Sequence, residues 1–206
     1  MPREPWELSI EMDERVGFRS PHTVARFVLD TSDVIERWNN PAEYVDLEQL
    51  RNENRVVLAK TDVVDTELDP DKNVVLGGIF LASIDLLELH GPMVFDNSRL
   101  GHSVFASEED VIRLDRVKTL VKVREASTRS NKHDMRDAMH LATSIRYGFS
   151  GFITGDDRLL KLDQKFSHEF GFRIFDAPGA VSYANDLIKK QLKLQQLNES
   201  LSQRLI

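Results

Sequence analysis

No cysteine occurs among the 206 residues of this chain. Disulfide staples, thiolate nucleophiles and thiolate zinc sites are therefore excluded, and the absence suits a reducing cytoplasm. Long apolar runs are lacking too. The longest, VVLGGIFLASI from Val74 to Ile84, is followed directly by Asp85 and falls well short of the roughly 20 residues that a membrane span needs. The opening stretch, MPREPWELSIEMDERVGFRS, is rich in acids and has no apolar core of the signal-peptide type. A cytoplasmic protein without membrane association is expected. Nor is there a surplus of positive charge: the net charge of −7 argues against a general polyanion binder.

What is present is ordinary for a globular domain, with 41% hydrophobic and 30% charged residues. The charge, however, is unevenly spread. Between Val111 and Arg136 stand Arg113, Arg116, Lys118, Lys122, Arg124, Arg129, Lys132 and Arg136, against only Asp115, Glu125 and Asp134. Taken alone, that run reads most simply as a solvated helical face.

Short apolar segments punctuate the chain. Phe27-Val28-Leu29 stops abruptly at Asp30-Thr31-Ser32, Arg55 to Ala59 reads RVVLA, Gly151 to Thr154 reads GFIT, and Phe172 to Phe175 reads FRIF. Runs of this length suit strands buried on both faces, as in parallel sheets. Between them lie helical stretches: a polar one to about Asn54, another opened by Thr61 or Asp62, and one from Glu108 to about Glu125. The apolar segment from Asn73 to Leu89 reads as a central helix ended by Gly91-Pro92, with a loop from Met93 to Ser103. Ala138, Leu141, Ala142 and Ile145 mark one face of a further helix, with Asp134 as its N-cap, Asp137 in the capping-box position and Gly148 as its stop. Strands alternating with helices predict an α/β sandwich with a mainly parallel central sheet. The tail, 184–206, carries Leu187, Leu194 and Leu201 at heptad spacing, but Lys190 and Arg204 interrupt the seam, so a helix docked on its own domain or on a second copy is expected.

The acids carry the functional signal. Ligands of open α/β sheets bind outside the carboxyl ends of the strands. Asp30 and Asp156 follow two of the short strands, Asp137 opens the helix before the second of these, and Glu67 lies in the helix after the RVVLA segment. Each has a plain alternative as a cap, a turn residue or a surface charge. Asp62 and Asp65 compete with Glu67, and Asp157 competes with Asp156. Jointly they suit a hard divalent cation, Mg²⁺ or Mn²⁺, which takes oxygen ligands and keeps several waters.

Several segments resemble the PIN-domain nucleases, the PilT N-terminus-like family that includes VapC-type toxins. FVLDTSDV is similar to the family's first strand and acidic turn, VVDTEL to its glutamate segment, RDAMHLATSIRYGFSGFITGDDRLL to its most distinctive stretch, and GFRIFDAPGAV to its closing strand. The resemblance implies a PIN-like three-layer sandwich in which Asp30, Glu67, Asp137 and Asp156 form the metal-binding, catalytic quartet. Thr31 or Ser32 and Thr154 then match the hydroxyl residues beside it. It implies a nuclease, with RNA the expected substrate and DNA an alternative, leaving a 3′-hydroxyl and a 5′-phosphate. Lys118, Lys122, Arg124, Arg129, Lys132 and Arg136 become the expected substrate face, since that segment runs into Asp137. A toxin role with an antitoxin or regulatory partner is implied, and a homodimer is possible.

The expected organisation is an extension over 1–24, the nuclease domain over 25–183 and the tail over 184–206. The competing readings are a PIN-fold RNA- or protein-binding module without catalysis, and a phosphatase with Asp30 as nucleophile. The phosphatase is disfavoured because Ser32 stands where such loops carry a second aspartate. His140 is read as a structural histidine.

Overall fold

The computed structural model describes residues 24–68, 79, 83–94, 103–123 and 129–204. The order of elements is β1 (Ala25–Leu29), α1 (Thr31–Asn39), a 3-10 turn (Pro41–Tyr44), α2 (Val45–Asn52), β2 (Val56–Thr61), α3 (Asp62–Glu67), β3 (Leu87–Leu89), α4 (Glu108–Val121), α5 (Arg129–Arg146), β4 (Gly151–Ile153), α6 (Asp157–Leu160), α7 (Asp163–Phe170), β5 (Arg173–Phe175) and α8 (Ala177–Arg204). The five strands form one sheet in the order β3-β2-β1-β4-β5, and every pairing is parallel.

Alternation along the short strands divides the core in two, because successive side chains point to opposite faces. Phe27, Leu29, Leu58, Ile153 and Phe175 enter one cluster with Leu47 of α2 and Ala180 of α8. Val28, Ala59, Phe152 and Ile174 enter the other with Val117 of α4, Leu141 of α5 and Phe166 of α7. Helices therefore cover both faces of the sheet, which is the expected three-layer sandwich. That coverage is why the strands read as unbroken apolar runs.

Helix α8 begins with Ala177, Ala180, Ala184 and Leu187 buried in the first cluster. Their helical spacing lays one stripe on the sheet, so the helix runs without a break across the expected boundary at 183/184.

Three expectations change. Leu87–Leu89 is an edge strand, not the end of a helix: Ala59 pairs with Leu87 and Thr61 with Leu89, so β2 supplies the partner that the local pattern could not reveal. Most of the segment read as that helix, 73–78 and 80–82, lies outside the described residues, as do most of the expected loop at 95–102 and the extension over 1–23. Helix α5 starts at Arg129, because no glycine or proline from Arg129 to Asp134 halts it. Asp134 is thus not its N-cap, and Asp137 lies inside the helix rather than at its start. Helix α4 ends at Val121, where Lys122 takes a left-handed conformation with φ 64°. Gly148 does follow the end of α5, at φ 65°. Among the described residues, no helix is long and apolar enough to cross a membrane.

Candidate active site

The sheet order places a topological switch point between β1 and β4. The chain leaves β1 towards β2 on one side and later fills the other side with β4 and β5. In open α/β sheets a crevice forms at such a point, outside the carboxyl ends of the strands. Here Asp30 follows β1 directly and Thr154-Gly155-Asp156 follows β4. A cleft of about 840 Å³ opens there, and Asp30, Glu67, Asp137 and Asp156 all line it.

Main-chain pairing fixes the two strand-end acids. The Asp30 amide donates to the Ile153 carbonyl at 2.9 Å, extending the β1–β4 ladder. Asp30 caps α1, its Oδ1 accepting from the Thr31 amide at 2.7 Å. Its Oδ2 accepts from the Thr154 hydroxyl at 2.8 Å and from Ser32 Oγ at 3.3 Å. Thr154 Oγ1 in turn accepts from the Asp156 amide at 3.1 Å, and Asp156 caps α6.

Glu67 ends α3 and reaches back to the other elements. It accepts from Thr31 Oγ1 and from Arg136 of α5 at 3.1 Å, and lies 3.8 Å from His140 Nε2. His140 is buried, and its Nδ1 is hydrogen-bonded to Thr61 Oγ1 at 2.6 Å. Burial disfavours the imidazolium, but Glu67, Asp30 and Asp137 together outweigh it and hold the His140 pKa above its ordinary value. For Glu67, burial pushes the pKa upward, but His140, the Thr31 hydroxyl and Arg136 more than reverse this and bring it down to about 2.

Asp137 has the opposite environment. Burial pushes its pKa up, and the charge of Asp30 pushes the same way, so it reaches about 7 despite His140 and Arg158. Two carboxyl groups of one cleft are thereby driven far apart in acidity, a pattern typical of functional sites. Arg158 lies 2.7 Å from Asp156, 3.1 Å from Asp134 and 3.5 Å from Asp137. Burial raises the Asp156 pKa less than Arg158 lowers it, so its carboxyl sits below the usual range.

The donor set is all carboxylate and hydroxyl oxygen, which matches the preferences of Mg²⁺ and Mn²⁺. The repulsion between Asp30 and Asp137 is of the kind a cation between them would relieve. As the side chains stand, no group of three histidine, aspartate or glutamate residues among those described is arranged to hold a metal. Glu67 is turned to Thr31 and Arg136, and Asp156 to Arg158.

The other sequence-predicted residues fall in different places. Thr31, Ser32 and Thr154 line the cleft. Asp134 reaches it only through Arg158, and Asp157 is exposed as the first residue of α6. Of the basic set, Arg136 lines the cleft. Lys118 is paired with Asp115 on α4 at 2.9 Å, Lys122 follows that helix, and neither is among the cleft's lining residues. Lys132 is exposed on α5, Arg129 opens that helix, and Arg124 lies outside the described residues.

Among the lining residues that were not expected are Asp33, His133 and Arg158. Asp33 is buried and accepts from Tyr44 at 2.6 Å and from the Gly155 amide at 2.9 Å, so it ties α1 to the β4 turn. Its signal was its position one helical turn after Asp30. The signal for Arg158 was a base directly after two acids.

No protein-family model matches the chain, and no curated protein matches it. Among solved structures, the chain is similar to one described as VapBC2 from Rickettsia felis bound to a DNA fragment from their promoter. The identity is 13%, the match covers 72% of this chain and 96% of that one, and the TM-score is 0.41.

Proposed function

We propose that this chain is a Mg²⁺- or Mn²⁺-dependent nuclease of the PIN type that hydrolyses phosphodiester bonds, with RNA as its first substrate and DNA as the alternative. The observation that carries this reading is the meeting of Asp30, Glu67, Asp137 and Asp156, from four separate segments, in one cleft at the switch point of a parallel sheet. Capping and turn chemistry do not require that convergence.

Asp30 and Asp137 would hold the principal ion, with Asp156 and Glu67 completing the set. A divalent ion so held supplies charge neutralisation of the phosphodiester and a lowered pKa for water. The protein's own groups do the rest. Thr154 orients Asp30, and His140 with Arg136 orients Glu67. Arg136, on the cleft wall beside the acids, offers positive charge to the phosphates of a bound strand, and His133 lines the same cleft. Single-stranded or looped RNA suits the cleft because its backbone can be drawn in without unpairing a duplex. An antitoxin-like or regulatory protein partner, and a homodimer, belong to the same proposal.

The test is cleavage of single-stranded RNA with Mn²⁺. Asp30→Asn and Asp137→Asn should each abolish it while circular dichroism shows the fold intact. Full activity in EDTA, or in either variant, would remove the nuclease reading. A binding module without catalysis is favoured by one observation, the engagement of Glu67 and Asp156 by Arg136 and Arg158. That module would bind RNA equally with and without Mn²⁺ and cleave none.

A further inference from the structure

Arg158 is the most exposed member of the charge cluster at the cleft. Its side chain is 64% exposed, against 14% for Asp134, 17% for Asp137 and 30% for Asp156. It projects from α6, a helix of four residues, and bridges to Asp134 and Asp137, which stand one turn apart on α5. Its Nη2 donates to Asp156 Oδ2 at 2.7 Å, and its Nε is shared between Oδ2 at 3.1 Å and Oδ1 at 3.3 Å, charge-assisted bonds of the stronger kind. Its Nη1 lies 3.1 Å from Asp134 Oδ1. One monovalent cation thus answers three carboxylates. Two of them, Asp137 and Asp156, belong to the set assigned to the metal.

We propose that Arg158 is an internal counter-cation that holds the acid cluster while no divalent ion is bound and is expelled when one enters. The inference rests on the metal-site reading given above. A divalent ion on Asp137 and Asp156 and a guanidinium in its present position would be like charges at close range, in a partly desolvated cleft where repulsion is poorly screened. The divalent ion has the greater charge, and Arg158 has the freedom to leave: its stem is exposed and its backbone belongs to a single short turn. The expelled guanidinium remains at the cleft mouth, where a phosphate is its next best partner. Arg136 does not have this freedom, since its side chain is only 23% exposed and it is paired with Glu67 from within the helix layer.

The test is Mn²⁺ binding to the full chain, read by calorimetry and by the electron paramagnetic resonance signal of the free ion, with no substrate present. Arg158→Gln should bind Mn²⁺ on the order of tenfold more tightly than the wild type, because a competing charge has been removed. Arg158→Lys, which keeps the charge, should stay near the wild-type affinity. In EDTA, Arg158→Gln should melt at a lower temperature than the wild type, and saturating Mn²⁺ should close that gap. Equal or weaker Mn²⁺ binding by Arg158→Gln, with a normal wild-type isotherm, overturns this proposal and leaves the metal site standing. Absence of Mn²⁺ binding by the wild type and both variants overturns the metal site and the proposal together.

Discussion

The Thr154 hydroxyl donates to Asp30 Oδ2 at 2.8 Å and accepts from the Asp156 amide at 3.1 Å. One fully buried oxygen thereby sets the orientation of the acids that end two neighbouring strands. Thr154→Val keeps the shape and removes both bonds. It should cost about 1–3 kcal/mol of stability by leaving polar groups unpaired and lower Mn²⁺-dependent cleavage roughly 10- to 100-fold, as is usual for groups that orient metal ligands. Thr154→Ser should recover most of the cleavage. Wild-type turnover by the valine variant would show that the hydroxyl orients nothing of consequence.

Asp137 is expected to cost stability when no cation is bound. Burial and the Asp30 charge raise its pKa to about 7, so its ionised form is disfavoured in the folded state. Asp137→Asn should therefore raise stability in EDTA at pH 8, by roughly 2–4 kcal/mol, while abolishing cleavage. Urea denaturation of the two proteins in EDTA checks the sign, and a less stable variant would contradict the electrostatic account.

Acid lability should trace in part to Asp110, which joins α4 to α5. It is buried, forms a capping box with Ser107, accepts from Arg113 at 2.6 Å and is ion-paired with Arg146, 3.0 Å away. Burial raises its pKa, but the Ser107 bonds and the two arginines outweigh burial and hold it below the ordinary value. A depressed folded-state pKa contributes stability above the unfolded-state value of about 3.9, and that stability is lost as pH falls through the lower folded-state value. Asp110→Asn should lose about 1.5–3 kcal/mol at pH 7, with the gap narrowing as the pH falls below about 3.9. Parallel denaturation curves above and below that pH decide the matter.

Close approach, not a left-handed backbone, explains Gly91. Its amide donates to Asp62 at 3.1 Å, and a Cβ there would stand 2.5 Å from Thr143 Oγ1. Gly91→Ala should destabilise by about 1–3 kcal/mol through overpacking. The Thr143 hydroxyl is buried and has no hydrogen-bond partner among the described residues, so adding Thr143→Ala should recover part of that loss. A double-mutant cycle measures the coupling, and additive losses would mean that the two residues do not collide.

Much of the fold could be read in the sequence because a sheet buried on both faces writes itself as short apolar runs. Phe27-Val28-Leu29 lies on β1, and GFIT and FRIF coincide with β4 and β5 to within one residue. Leu87–Leu89 escaped because an edge strand of three residues has too little pattern, and its pairing with Ala59 to Thr61 is made across the chain. Asp30, Asp156, Asp137 and Glu67 were singled out from their positions at strand ends and in neighbouring helices, and the resemblance then joined them into one set. The arginines facing them were not legible as their partners. Arg136 looked like one of many bases on a helical face, and only the packing of α5 against α3 brings it to Glu67. Arg158 carried a local signal, a base directly after Asp156 and Asp157, but its bridges to Asp134 and Asp137 of α5 leave no mark on its neighbours in sequence.

The ladder between β1 and β4 also has a consequence for the order of events during synthesis. Thr154 and Asp30 are separated by 124 positions, so their contact belongs to the slow, non-local part of folding. A nascent chain emerges with Asp30 and Glu67 already made, yet they acquire their opposite wall only after β4 has left the ribosome and paired. The mutual repulsion of Asp30 and Asp137 is likewise incurred only when α5 packs on β2 and α3, once the local helices and the β1–β2 pair can support it. The closed cleft is then a product of late assembly, and any truncated chain ending before Gly151 lacks the wall that β4 supplies.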